Sequence, residues 1–219
     1  SSIYSSCVAF RGAGREFQTI NLGWHNDWTA ADGVAAINWA QSQINAHPNR
    51  PTILNVHAAL NEAGNRWPNY QVLWDNFVKS NSQIFMVVSG HSGVSRQTSL
   101  NNAGKTVYTL TSDYQWDDYP YGGMLRTYYF DDVNSKIWAK TMQNDTEAFY
   151  TGAQDQFELP MDFNDRLGIA QLYRTGSGTW DNATTASWAT PTYGGYDMLW
   201  YGGADAHFRG TPGTVTVSG

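Results

Sequence analysis

The chain has 219 residues, a formal net charge of −6, only 13 Lys and Arg, and 41% apolar residues. That length allows one sizeable core, or one core with a small appendage, and the apolar content excludes a disordered chain. The scattered basic residues form no stripe, which excludes nucleic acid as a charge-driven partner, and no apolar run reaches the ~18–20 residues that would span a bilayer.

The lone cysteine, Cys7, excludes an internal disulfide and reads as a small buried hydrophobe. The scarcity of Lys and the wealth of Asn, Thr, Ser and Gly suit a bacterial exported protein, secreted or held at the cell surface. The chain starts at Ser1 without Met or a leader, as expected of a mature or trimmed secreted protein.

In chain order, "REFQTINLGW" (15–24) alternates like a strand. "TAADGVAAINWAQSQINAHPNR" reads as a helix, with Thr29 as its cap and Val34, Ile37 and Ile44 on one face. "PTILNVH" (51–57) is an apolar run of the buried-strand type. "NYQVLWDNFVKSN" (69–81) is a second amphipathic helix, using Val72, Leu73, Phe77 and Val78, and "QIFMVVSG" (83–90) is another buried strand. Three alternating strands follow, "KTVYTLTSDY", "MLRTYYF" and "KIWAKTM", the last two joined by the turn "DDVNS". The order β-α-β-α-β and then a run of β predicts an α/β (α+β) fold, a sheet with helices on a face finished by antiparallel strands.

His57 ends one predicted buried strand and His91 follows the next. In open α/β sheets, ligand groups gather at the carboxyl ends of neighbouring strands, and imidazole suits Zn, Fe, Mn or Ni. The two histidines are therefore the candidate metal ligands, with His25, Asp113 and Asp118 as further candidates. His47, before Pro48, reads as a helix C-terminal residue. Arg126 is a candidate to face phosphate, but reads first as a solvated or salt-bridged strand residue. Asn55 and Asn61 read as capping or turn residues.

"NRPTILNVHAAL", "VLWDNFVKSNSQIFMVVSGHSG", "NAGKTVYTLTSDYQ" and "YGGMLRTYYFDDVNSKIWAKTM", in that order, resemble the C-terminal half of a calcineurin-like metallophosphoesterase of the bacterial exported branch. The resemblance covers roughly residues 8 to 160. It implies a β-sandwich flanked by helices, a two-metal site of Mn, Fe or Zn at the strand ends, and phosphoester substrates. It also implies that His57 and His91 bind the same cation. Two departures stand out. Gly93 occupies the place of the second histidine of Gly-His-x-His. The N-terminal Asp-x-His, Gly-Asp-x-x-Asp and Gly-Asn-His motifs are absent, so a missing N-terminal half or a partner chain is expected to complete the site.

The tail differs. Gly178-Thr-Trp-Asp181, Trp188, Trp200 with Gly202 and Gly203, Ala204-Asp-Ala-x-Phe208 and Gly213 to Gly219 resemble the opening unit of autotransporter-associated β-strand repeats, which implies the start of a β-solenoid. The expected division is a metallophosphoesterase-like module over 1–165 and a β-rich segment over 166–219. The leading functional reading is a partial metal-dependent phosphoester hydrolase. The alternative is a non-catalytic surface or structural protein with a degenerate phosphoesterase fold. A glycan-binding or other hydrolytic role built on the aromatic surplus stands third.

Overall fold

The structure, a computed structural model, describes residues 5–12, 14–115, 123–181, 186–190, 204–210 and 213–218. The chain divides into two units, one of Ser1–Ala9 and Gln18–Asp162, the other of Phe10–Phe17 and Phe163–Gly219.

The first elements are β1 (Ser6–Gly12), β2 (Arg15–Asn21), α1 (Ala31–Ala46), β3 (Thr52–Ala58), α2 (Pro68–Asn76), β4 (Ile84–Gly90), β5 (Val94–Leu100) and β6 (Thr106–Ser112). They form a six-stranded sheet in the order β1-β2-β3-β4-β6-β5. β2, β3, β4 and β6 run parallel, while β5 is antiparallel to β6. Crossovers of one hand between successive neighbouring parallel strands carry both helices to one face. Ile20, Leu54, Val56, Val87 and Val107 meet Ala36, Ala40, Ile44, Tyr70, Leu73 and Trp74 there in a single buried cluster. β5 went unread in the sequence because "VSRQTSL" is an edge strand with polar residues and no apolar run.

The face of α1 also differs from expectation. Gly33, Ala36, Ala40 and Ile44 are buried, whereas Val34 is exposed and Ile37 only partly covered. Small residues bring the helix close to the sheet, and that proximity outweighs the bulk of Val34. Thr29 does not cap the helix; its hydroxyl and amide both bind Asp27 Oδ1, and Ala30 takes the N-cap position without a side-chain bond. Gly33 sits so near the preceding loop that a Cβ there would lie 2.5 Å from Asp27 O and 2.7 Å from Trp28 Cα. Gly33→Ala should therefore destabilise the protein by about 1–3 kcal/mol, the usual cost of overpacking, against the helix-propensity gain of about 1 kcal/mol. Urea unfolding at constant m-value measures this, and a stabilised variant would show that the loop yields.

On α2, Tyr70 is fully buried and its hydroxyl pairs with Thr109 Oγ1 at 3.3 Å. Burial pushes its pKa from 10.0 up to about 12. The folded state thus holds this proton more tightly than the unfolded chain does. The resulting stability is complete below pH 10 and is lost as pH rises from 10 towards 12. Stability followed by circular dichroism should fall across that window, and Tyr70→Phe should lessen the fall, the remainder coming from Tyr114 and Tyr128, whose burial raises their pKa as well.

The opposite face of the sheet carries β7 (Met124–Asp131), β8 (Lys136–Gln143), β9 (Phe149–Tyr150) and β10 (Gln156–Pro160). β10-β8-β7 form an antiparallel sheet, with β9 beside β8. The predicted turn joins β7 to β8, its Asn134 bonded to Asp131. Phe85 meets Phe130 edge-on with centroids 6.0 Å apart, and the Tyr108 hydroxyl donates to Pro160 O, so the two sheets of this unit face each other. The coarse α/β expectation holds: helices on one face, a second sheet on the other.

In the second unit, α3 (Phe163–Leu167) precedes β11 (Gln171–Arg174), β12 (Gly178–Asp181), β13 (Asp205–Phe208) and β14 (Val215–Ser218). β11 pairs with β13 and β12 with β14, both parallel. Trp188 is fully buried, with Trp180 and Phe208 packed on it at 5.3 and 5.7 Å. Arg15 donates to Gly168 O and Asn164 Oδ1, and Phe10 stacks on Phe17 at 5.3 Å. Trp200, Gly202, Gly203 and Gly219 lie outside the described residues. No described helix is long and apolar enough to cross a membrane.

Candidate functional site

Parallel strands deliver β3 and β4 side by side, with Asn55 opposite Val88 in register. Side chains alternate along β3: Thr52, Leu54 and Val56 are buried towards the helices, and Ile53, Asn55 and His57 face the other way. His57 stands at the carboxyl end of that open face. β4 ends at Gly90, and His91 follows with φ of +74°, the left-handed region that non-glycine residues seldom enter. This twist turns the imidazole back over the strand ends. His57 Nε2 lies 3.0 Å from His91 Nδ1, with ring centroids 4.7 Å apart.

Two nitrogens each about 2.1 Å from one cation stand about 3.0 Å apart at a right angle and about 3.4 Å apart at the tetrahedral angle. The observed spacing matches two adjacent corners of an octahedron. It equally allows one neutral imidazole to donate a hydrogen bond to the other.

Two tryptophans frame the pair. Trp24, three residues past the end of β2, sets its ring edge-on to His57 at 4.6 Å and nearly parallel to His91 at 6.0 Å. Its Nε1 donates to Asn26 Oδ1, which fixes the indole. Trp67, just before α2, lies 6.3 Å from His91. Neither carries a sequence motif that marks it, although Trp24 leaves the carboxyl end of a parallel strand as His57 does.

The other candidates are engaged elsewhere. His25 is buried; its Nδ1 meets Asp32 Oδ2 at 3.1 Å and its ring packs on Trp28 at 4.8 Å. The hydrogen bond from His25 holds the Asp32 carboxyl below the usual range, with a further contribution from the Gly33 amide. Asp113 is buried at the end of β6, where its carboxylate accepts from the Gln115 amide and side chain. Its backbone amide donates to Gly93 O at 2.8 Å, tying the Gly-His turn to the neighbouring strand. Asp118 lies outside the described residues. Among the described residues, no group of three or more His, Cys, Asp and Glu stands close enough to hold a metal.

Gly93 has φ of +48°, and a Cβ there would lie 3.1 Å from Glu62 Cγ. The place where the resembling motif carries a second histidine is thus a turn suited to glycine, against a flexible side chain. His47 caps α1 at its C-terminus, and Asn61 Oδ1 accepts from Asn65 N in a turn, as expected of both. Arg126 takes the salt-bridged alternative: its side chain is 3% exposed and pairs with Asp155 at 3.7 Å. Cys7 is half-buried, and burial raises its thiol pKa, which keeps it protonated and poorly nucleophilic.

No protein-family profile matches the chain. The chain is similar to the uncharacterized protein YvnB of Bacillus subtilis (strain 168), with 28% identity over 169 residues. The match takes in 70% of this chain and 12% of that relative, so the chain spans a small part of the length of the protein it resembles.

Proposed function

We propose that this chain is the histidine-bearing part of a metal-dependent phosphoester hydrolase, secreted or at a bacterial cell surface. The observation that carries the reading is the 3.0 Å approach of His57 Nε2 to His91 Nδ1 at the carboxyl edge of a parallel sheet. Their spacing and open position fit one octahedral divalent cation such as Mn or Fe, with two corners of its coordination filled; a tetrahedral Zn would draw the nitrogens out to about 3.4 Å. They do not make the two-cation centre of the family that the sequence resembles, since nothing described supplies a bridging carboxylate. No hydrolytic step is therefore derived for these residues alone. The remaining ligands are assigned to another segment or a partner chain, and the much greater length of the Bacillus relative supports such a source.

Metal content by mass spectrometry, after dialysis against Mn²⁺ and then Zn²⁺, tests the reading. One cation per chain supports it. None in either metal rejects it, and would leave a surface or structural protein on a degenerate phosphoesterase fold. The glycine turn at Gly93 is the observation that favours that second reading.

A further inference from the structure

A cleft of about 490 Å³ runs between the two sheets of the first unit. Its size is that of a small-molecule site, about 300–1,000 Å³. Ile53, Met86, Val88 and Phe130 line its depth, and Asn55, Gly90, Ser112 and Arg126 lie towards the carboxyl ends of the strands. The cleft is thus apolar at one end and polar at the other. The polar end adjoins the histidine pair: Asn55 is one side-chain step before His57 on the same face of β3, and Gly90 immediately precedes His91.

The polar end is built rather than merely exposed. Arg126, 3% exposed, donates from Nε to Thr141 Oγ1 at 3.0 Å and from Nη2 to Gln154 O at 2.6 Å. Asp155 lies 3.7 Å from the same guanidinium and balances its charge. The Tyr114 hydroxyl is held by Thr141 at 2.8 Å. The Tyr128 hydroxyl, near Arg126 and Ser112, is buried without a well-formed hydrogen bond. Burial also raises its pKa, so it remains an O–H donor, with the Ser112 hydroxyl as its near neighbour.

We propose that this cleft binds the apolar chain of an amphiphilic phosphoester, its head lying at the carboxyl edge beside Arg126, Tyr128 and the His57–His91 pair. The placement of the head rests on the metal-site reading above; the seating of the chain does not. The apolar walls select an alkyl body, and Met86 among them adapts to its shape. The balanced Arg126–Asp155 pair and the Tyr128 hydroxyl then orient the head.

The test uses this chain, the neutral apolar dye N-phenyl-1-naphthylamine, decyl phosphate and inorganic phosphate, with metal content measured in the same samples. Decyl phosphate should displace the dye at a concentration at least about tenfold below that of inorganic phosphate, since each buried methylene is worth about fourfold in affinity. Val88→Trp fills the cleft and should weaken dye and decyl phosphate alike by about tenfold or more, with metal content unchanged. Tyr128→Phe keeps the shape and should weaken decyl phosphate about fivefold while leaving the dye unaffected. Equal displacement by the two phosphates, or binding indifferent to both substitutions, overturns the proposal. Alkyl binding that Val88→Trp abolishes in a protein holding no metal upholds the cleft and rejects only the metal reading.

Discussion

Replacing His91 by alanine should take the bound cation from one per chain to none, and His57→Ala should do the same. On the metal-site proposal each imidazole is one of the two ligands this chain supplies, so removing either leaves a single exposed nitrogen competing with water. The loss in affinity should be at least about 100-fold, beyond the 10- to 100-fold typical when only a group behind a ligand is removed. The double variant should be no worse than either single one, because the two act as one unit. His25→Ala provides the contrast. His25 is buried and tied to Asp32, so its loss should lower stability and leave metal content intact. Metal content by mass spectrometry, with isothermal titration for affinity, reads all four variants. Retention of the cation in both single histidine variants would sink the assignment.

Trp188→Ala should destabilise the second unit by about 3–5 kcal/mol, the usual range for deleting a large buried aromatic. Trp188 is fully buried and anchors Trp180 and Phe208 around it. The strands near it are short: β11, β12, β13 and β14 have four residues each. Such strands hold together by what they pack against rather than by their own pairing. The variant should show a new unfolding transition at lower temperature by calorimetry. The far-ultraviolet signal of the first unit should persist through it, because Leu54, Leu73 and Val87 lie in a separate buried cluster. A single cooperative transition shifted as a whole would show that the units unfold together.

How much of this was legible in the sequence differs from element to element. β3 and β4 were readable as apolar runs because Leu54, Val56, Ile84 and Val87 are buried under the helices and Ile53, Met86 and Val88 line the other face. The hairpin of β7 and β8 was readable from its alternation and its turn. β5 was not, since an edge strand carries polar residues and draws its register from β6 rather than from its own pattern. The buried face of α1 was misread because Gly33, Ala36 and Ala40 carry little hydrophobic signal, although close approach to the sheet depends on their small size.

His57 and His91 were identifiable as strand-end residues, and the topology that makes those ends neighbours followed from the β-α-β order. By itself, then, the sequence determined the β-α-β-α-β order of the core and the two histidines at its strand ends. Only the tertiary structure decided the rest. It turned His91 through a left-handed backbone to within 3.0 Å of His57 and drew His25 and Asp113 into bonds of their own. It buried Arg126 and left a cleft between the sheets. The reason is physical: periodicity records which face a residue takes within its own element, while distances between side chains on different elements depend on how those elements pack, which no local pattern encodes.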